Sequence, residues 1–395
     1  MLLLVLISLL LSIPAVQTQL AKFATDKLNQ DFGTNLSVKK IDLSFLGSVQ
    51  LKGIEIRDHH KDTLIFIEKL STSILNAKKI LDNKVNLGSI SASGLTMNLK
   101  TYKGEKDDNL TIFVDSFDDG TPTDSISSPF ILRSSNIYVD GLNFKLLDLN
   151  KKTPLLFSAL NGGGNLQDFS VVGPKVQSEI RGLYFTDDRG LEITNLSTDF
   201  TYSKTQMKFD KTTLQTLNSK VIGDIEFNYK REDLQYFTDK VSIKAQFKKS
   251  SLSIIDVQKL YQELQGKDIL HFTGEINGTL NNFKAKNLKL ISDKGMKITA
   301  DLRFVNAINN EKGFVFSGDL QNITASYNQL KSVLPNLLGK SLPTEFSRLG
   351  KFSITGKTLV TPEKMDALLT VKSEIGTIIS DLELTNIDDI DYANY

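Results

Sequence analysis

From Thr34 onward, apolar and polar residues alternate along most of the chain. A period of two places successive side chains on opposite faces of a strand, so one face is apolar and the other is polar. Residues 296–304, MKITADLRF, are typical of this pattern. The other alternating segments are 36–38, 41–45, 49–51, 54–56, 85–99, 137–146, 191–202, 221–229, 241–247, 270–280 and 314–320. The pattern predicts a mainly β fold built from an antiparallel sheet with one dry face.

Two stretches change to helical spacing. Residues 251–266 place Ile254, Val257 and Leu260 on one face and end at Gly266, which is a favourable helix stop. Residues 327–339 repeat the arrangement with four leucines, although a proline interrupts them. We therefore expect a few short amphipathic helices among the strands.

Each of these helical stretches precedes a similar run of alternating segments. Residues 271–304 and residues 351–384 share an aromatic residue, a glycine followed by Thr-Leu, a loop, a strand, a glycine turn and a last strand that contains Asp-Leu. Similarity at a fixed spacing is typical of arrays in which each unit packs on the next. We expect such an array to continue beyond residue 395, so that the chain is an N-terminal fragment of a longer protein.

The first residues are strongly apolar. Residues 2–16 contain only Ser8 and Ser12 as polar positions, and a helix of that length reaches roughly 22 Å, against about 30 Å for the hydrocarbon core of a bilayer. A basic residue before the apolar run and a clear cleavage site are both missing, which disfavours a signal peptide. We expect a membrane anchor, with a cleaved signal peptide or a buried helix as the alternatives. The anchor residues would be Leu2, Leu3, Leu4, Val5, Leu6, Ile7, Leu9, Leu10, Leu11 and Ile13.

These signals predict six segments along the chain. An anchor and an amphipathic helix that ends at Gly33 are followed by a β module, and an acidic loop separates this module from a longer β-groove. Two helix-plus-β repeats follow, and the second is truncated. The predicted bounds are 1–33, 34–106, 107–129, 130–250, 251–325 and 326–395.

Composition narrows the classes of function. The 395 residues are 40% hydrophobic, and 47 Lys and Arg nearly balance 46 Asp and Glu, so charge gives no reason to expect a nucleic acid as partner. The absence of cysteine excludes disulfides and thiolate metal sites.

No motif in the sequence predicts catalysis. His59, His60 and His271 lack further ligands nearby in sequence and are predicted to be surface residues. The acidic run 115–124 lacks calcium-loop spacing, and the triple glycine 162–164 lacks a following helix and lysine, so a turn is predicted there. We expect no catalytic residue, no cofactor and no metal, and we expect that the protein is not an enzyme.

The first hundred residues resemble the N-terminus of TamB and AsmA-like envelope proteins, the inner-membrane component of the translocation and assembly module, in the form found in Bacteroidota. The resemblance lies in a Pro-Ala-Val-Gln turn at 14–17, in Gly33-Thr34, and in Leu51-x-Gly53-Ile54. It implies an inner-membrane anchor and a periplasmic, elongated β-taco-like groove with an apolar interior. It also implies a role in envelope biogenesis, through phospholipid transport between membranes or through assembly of outer-membrane proteins with a barrel partner. We expect the region that contacts that partner to lie outside these residues.

The interpretation favoured by the residues is a groove that conducts lipid. A long sheet with a continuous apolar face must close, pair with another layer or hold something apolar, and acyl chains satisfy the last condition. A stack of β-sandwich domains, an assembly scaffold and an exported adhesin or stalk are the alternatives. The candidate lipid-facing residues are Val241, Ile243, Phe247, Phe272, Ile276, Met296, Ile298, Leu302 and Phe304.

Overall fold

The computed structural model describes residues 35–43, 48–73, 84–115, 131–260, 266–308, 313–333 and 344–385, together with six positions between 19 and 30. The chain divides into two compact units, residues 1–203 and residues 204–395. With 69% of the structure in strands and few short helices, the prediction of a mainly β fold is confirmed. The finer bounds of the six predicted segments stay predictions.

The predicted membrane anchor and the residues after it, up to position 18, lie outside the described residues. The described positions between 19 and 30 are helical. The side-chain amide of Asn29 donates to the carbonyl oxygen of Leu36 and accepts from its N–H, both at 2.8 Å. Within the described ranges, every helix is too short or too polar to span a membrane.

The first unit contains eight strands in its described part. These are β1 (Asn35–Leu43), β2 (Ser48–Arg57), β3 (Thr63–Ser73), β4 (Lys84–Thr101), β5 (Ile131–Asp148), β6 (Leu155–Val172), β7 (Lys175–Thr186) and β8 (Glu192–Tyr202). Each strand pairs with the next, and all the pairs are antiparallel except β4 with β5. The prediction of a purely antiparallel sheet is wrong at this point. Parallel pairing needs a crossover, and the long connection between these strands, which contains helix α1 (Asn109–Asp115), supplies it.

The turn predicted at the triple glycine is also wrong, because Gly162, Gly163 and Gly164 lie inside β6. A Cβ atom added to Gly162 would come within 2.7 Å of the carbonyl oxygen of Tyr184, and one added to Gly163 would come within 2.7 Å of the carbonyl oxygen of Val139. These glycines therefore allow the neighbouring strands β5 and β7 to approach closely.

The second unit contains ten strands in its described part, and each pairs antiparallel with the next. They are β9 (Gln206–Thr216), β10 (Lys220–Asn228), β11 (Ser242–Ser253), β12 (Ile269–Gly278), β13 (Asn282–Ser292), β14 (Lys297–Val305), β15 (Val315–Ser326), β16 (Lys351–Val360), β17 (Lys364–Ser373) and β18 (Gly376–Thr385). The described part of this unit also contains the helices α2 (Phe237–Lys240), α3 (Ile254–Leu260) and α4 (Tyr327–Val333), with 3-10 helices at Arg231–Tyr236 and Thr344–Leu349.

Both predicted short helices of this unit are present, but the first begins later than predicted. Residues 251–253 belong to β11, because Ser253 pairs with Ile269 of β12 and this pairing outweighs the local helical spacing. The predicted helical residues 261–265 and 334–339 lie outside the described residues. The described helices α3 and α4 are seven residues each.

The two similar sequence runs occupy equivalent places. The series β11, α3, β12, β13, β14 has the same order as the series β15, α4, β16, β17, β18. The segment MKITADLRF lies in β14 except for its first residue, Met296, and its counterpart GTIISDLEL lies in β18. The similarity noticed in the sequence therefore corresponds to a repeated arrangement of one helix and four strands.

Bulges near mid-strand interrupt the pairing at several places. Asn287 of β13 has a φ of 53°, and the register between β13 and β14 shifts between Ala285 and Leu288. The bulge frees the N–H of Asn287 from the strand pairing, and the Asp301 carboxylate of β14 accepts it at 2.7 Å. Lys211 of β9 shows the same φ of 53°, and its N–H is accepted by Asp224 of β10 at 2.7 Å. Because a bulge bends the strand that carries it, each of these positions introduces a local bend in its own strand.

We expect Asp301→Ala to lower the free energy of unfolding by about 1–2 kcal/mol, because the N–H of Asn287 would lose a charged acceptor. The matched control is Asp381→Ala. Asp381 has the same place in the equivalent strand β18, but β17 and β18 pair without a register shift. Chemical denaturation of both variants tests this. An equal loss in the two variants would contradict the role assigned to the bulge acceptor.

Candidate functional site

One three-residue pattern recurs in the strands of the second unit. It consists of a small residue, a residue that points to the opposite face and, in most strands, a large apolar residue. Because side chains two positions apart share a face, the small and the large residue lie on the same face, which we name the apolar face. The pattern occurs as Gly223-Asp224-Ile225, Ala245-Gln246-Phe247, Gly274-Glu275-Ile276, Ala300-Asp301-Leu302, Gly318-Asp319-Leu320, Gly356-Lys357-Thr358, Ala367-Leu368-Leu369 and Ser380-Asp381-Leu382, with Ala285 and Leu288 separated by the bulge in β13.

Strand pairing arranges these residues as a checkerboard. Across four consecutive strands, Ala245 lies opposite Ile276, Ile276 opposite Ala285, and Ala285 opposite Leu302. Leu302 of β14 faces Gly318 of β15. A Cβ atom added to Gly318 would lie 3.2–3.4 Å from side-chain atoms of Leu320, Leu302 and Phe316. Each small residue therefore leaves the space that a large neighbour fills.

The large residues form a single layer over the sheet. Ala300 is 0% exposed and the alanines 245 and 285 are also buried, whereas Ile276, Leu302 and Phe247 remain half-buried. On the apolar face, the small residues are therefore covered, whereas the large side chains remain partly accessible to solvent.

Aromatic side chains lie along one margin of this face. Phe283 of β13 pairs with Phe304 of β14, and their rings stack with centroids 4.7 Å apart. Phe304 also pairs with Phe316 of β15, with ring centroids 5.3 Å apart. All three rings are half-buried. This margin offers a broad apolar surface without a fixed polar group among these side chains.

The opposite margin is packed. A buried cluster joins the start of β14, the end of β15, the 3-10 helix Thr344–Leu349 and β16. It consists of Met296, Ala325, Leu349 and Phe352. The partly buried residues that pack against it are Leu270, Leu290, Ile298, Leu330, Ile354 and Val371. Helix α4 and the following 3-10 helix thus cover this end of the apolar face.

Helix α3 is attached to the same end of the sheet by a buried carboxylate. Asp256 accepts hydrogen bonds from the hydroxyls of Thr216 and Ser219, each at 2.5 Å, and from the Asn218 side-chain amide at 3.1 Å. Burial acts to raise the pKa of Asp256, but the hydrogen bonds from these three side chains outweigh it and the net shift is downward. Asp256 therefore holds the helix to the turn between β9 and β10 in its ionised form.

The nine predicted lipid-facing residues fall into three groups. Phe247, Phe272, Ile276, Leu302 and Phe304 are half-buried on the apolar face, where the rings of Phe247 and Phe272 lie 5.5 Å apart. Ile298 contacts the packed cluster and is partly buried.

The remaining predicted residues offer little surface to a ligand. Val241 precedes β11 and is 0% exposed, Met296 is 2% exposed within the packed cluster, and Ile243 is also buried. The ten residues predicted as the membrane anchor lie outside the described residues. The half-buried large residues that the sequence reasoning missed include Phe283, Leu288 and Phe316. Phe283 and Phe316 each lie two positions before a small residue of the pattern, Ala285 or Gly318, and this spacing could have identified them.

Across β9 to β12, the other face of the sheet is polar. A shallow depression of about 340 Å³ on it is lined mainly by charged and amide side chains, including Asp224, Glu226, Lys244 and Glu275. The ammonium of Lys248 lies 2.7 Å from the Asp224 carboxylate, and this contact, followed by the Lys211 N–H, lowers the pKa of Asp224. In the later strands the same face also carries exposed apolar side chains, those of Leu359, Leu368 and Ile379.

Comparisons of the chain with protein-family models, with curated proteins and with solved structures gave no match.

The checkerboard predicts that Gly318 cannot be enlarged. We expect Gly318→Leu to lower the free energy of unfolding by about 1–3 kcal/mol, because its side chain would displace Leu320, Leu302 and Phe316. Ser317→Leu, next to it on the polar face, should change stability by less than about 0.5 kcal/mol. Denaturant titration compares the two, and a tolerated leucine at position 318 would contradict the packing described.

Proposed function

We propose that the chain is a membrane-anchored periplasmic protein of envelope biogenesis that conducts phospholipid between the inner and outer membranes along the apolar face of its second unit. The observation that supports this proposal best is the layer of half-buried large apolar side chains that crosses successive strands. Exposed apolar surfaces of this kind are uncommon on monomeric proteins and mark binding sites for apolar partners.

The chemistry of the face suits acyl chains. The hydrophobic effect is non-directional, and each buried methylene contributes about 0.8 kcal/mol wherever along the face it lies. Phe304, Leu302 and Ile276 offer contact area without hydrogen-bonding groups, so an acyl chain would not be fixed in one register. A surface that binds without a fixed register permits movement along it.

The membrane anchor and the location of the protein form part of the proposal. They rest on the apolar residues 2–16 and on the resemblance of the first hundred residues to TamB and AsmA-like proteins. The same resemblance is the source of the direction proposed for lipid movement, from one membrane of the envelope to the other.

Site-specific photo-crosslinking tests the proposal. A photoreactive amino acid is placed at Leu302 on the apolar face or at Arg303 on the polar face of the same strand, and the protein is irradiated in its native membrane. We expect phospholipid adducts at position 302 and few at position 303, as read by mass spectrometry of the purified chain. Adducts with protein only, or equal lipid adducts at both positions, would contradict lipid conduction along this face.

A further inference from the structure

Three metal-ligating side chains converge in the first unit. His59 and His60 lie in the turn between β2 and β3, and Glu105 lies in the segment after β4. The Nε2 atom of His59 is 2.9 Å from Oε2 of Glu105, and the Nε2 atom of His60 is 2.7 Å from its Oε1. The ligand atoms of all three residues lie within 4.8 Å of one another. Two imidazoles and a carboxylate therefore already point to a common centre.

A buried carboxylate fixes the turn that bears the histidines. Asp58 is 2% exposed and accepts hydrogen bonds from the backbone N–H groups of His60 and Asp62, each at 3.0 Å. Its other oxygen accepts from the Tyr102 hydroxyl and from the Asn109 side-chain amide, each at 2.8 Å. The position of the histidine pair is therefore set by contacts that involve neither imidazole.

The segment that bears Glu105 is fixed in the same way. The Asn150 side chain accepts from the N–H of Gly104 at 2.8 Å and donates to the carbonyl oxygens of Tyr102 and Glu105 at 3.2 and 3.1 Å. The ring of His60 stacks on Tyr102 with centroids 3.9 Å apart. A ligand that entered between the three side chains would leave this support intact, so the site is preorganised.

The set of donors selects the class of ion. Imidazole nitrogen and carboxylate oxygen suit Zn²⁺ and its neighbours among the transition metals, whereas Mg²⁺ and Ca²⁺ require six or more oxygen ligands. In a tetrahedral zinc site with bonds of about 2.0 Å, ligand atoms lie roughly 3.3 Å apart. The two nitrogen–oxygen pairs, at 2.7 and 2.9 Å and to different oxygens of Glu105, would have to separate by about 0.5 Å, and all the ligand atoms already lie within 4.8 Å of one another. The three side chains are 29%, 45% and 30% exposed, which leaves room for entry and for water as a fourth ligand.

We propose that His59, His60 and Glu105 bind one divalent transition-metal ion of the Zn²⁺ class. The ion joins the turn between β2 and β3 to the segment after β4. No metal ligand was predicted at these positions because Glu105 is 45 residues from His60, and only the fold brings them together.

Isothermal titration of zinc chloride into the metal-stripped 395-residue chain, kept in detergent, tests the site. We expect one Zn²⁺ per chain, and a loss of affinity of at least tenfold in Glu105→Gln and in the double variant His59→Ala/His60→Ala. The matched control is His271→Ala, because His271 also forms an exposed pair with a carboxylate, Asp293 at 2.8 Å, but without a second histidine. This control should bind zinc as the parent chain does.

A second readout separates ligand loss from misfolding. Zinc should raise the thermal midpoint of the parent chain and of His271→Ala but not that of Glu105→Gln, whose near-isosteric amide preserves the shape of the site. Absence of saturable binding would overturn the proposal, as would affinity unchanged in Glu105→Gln. Equal binding of Ca²⁺ would overturn the assignment to a transition metal. Absence of saturable binding would mean that the three side chains only form hydrogen bonds with one another.

Discussion

The contact between a small residue on one strand and a large residue on its neighbour organises the second unit. Where Ala285 faces Leu302 and Leu302 faces Gly318, the large side chain lies over a backbone that the small residue leaves accessible. The sheet thereby covers its own apolar side with one layer of side chains. If every position carried a residue of the same intermediate size, the side chains of neighbouring strands would not interlock in this way.

Each bulge also leaves a backbone N–H that needs a hydrogen-bond acceptor, and side chains of the polar face supply it. A bulge removes an N–H from the strand pairing, and a side chain of the neighbouring strand accepts it, as Asp301 does for Asn287 and Asp224 does for Lys211. In the first unit, Ser197 accepts the N–H of Gly182 at 3.0 Å in the same way. The polar residue between a small and a large one can therefore have a structural role, because it accepts the N–H that a bulge leaves outside the strand pairing.

The positions of many strands could be predicted from the sequence, whereas the pairing between segments distant in sequence could not. Alternation is a local signal, and it correctly indicated strands such as β14 and β18. The parallel pairing of β4 with β5 and the inclusion of the triple glycine in β6 depend on contacts between distant segments. The same reason explains why the cluster of His59, His60 and Glu105 had no sequence signal. On the apolar face, the candidate residues included Leu302 and Phe304 but not Phe283 or Leu288, because bulge positions and neighbouring strands decide which large residues stay half-buried.

Native mass spectrometry of the chain, extracted into a lipid-free amphipathic polymer that preserves bound molecules, tests the central claim most directly. If the apolar face holds acyl chains, phospholipid should remain bound to the parent chain, and Leu302→Asp on that face should reduce the bound amount, whereas Arg303→Asp on the polar face should not. A parent chain free of phospholipid, or bound lipid that is indifferent to the substitution at Leu302, would contradict the account.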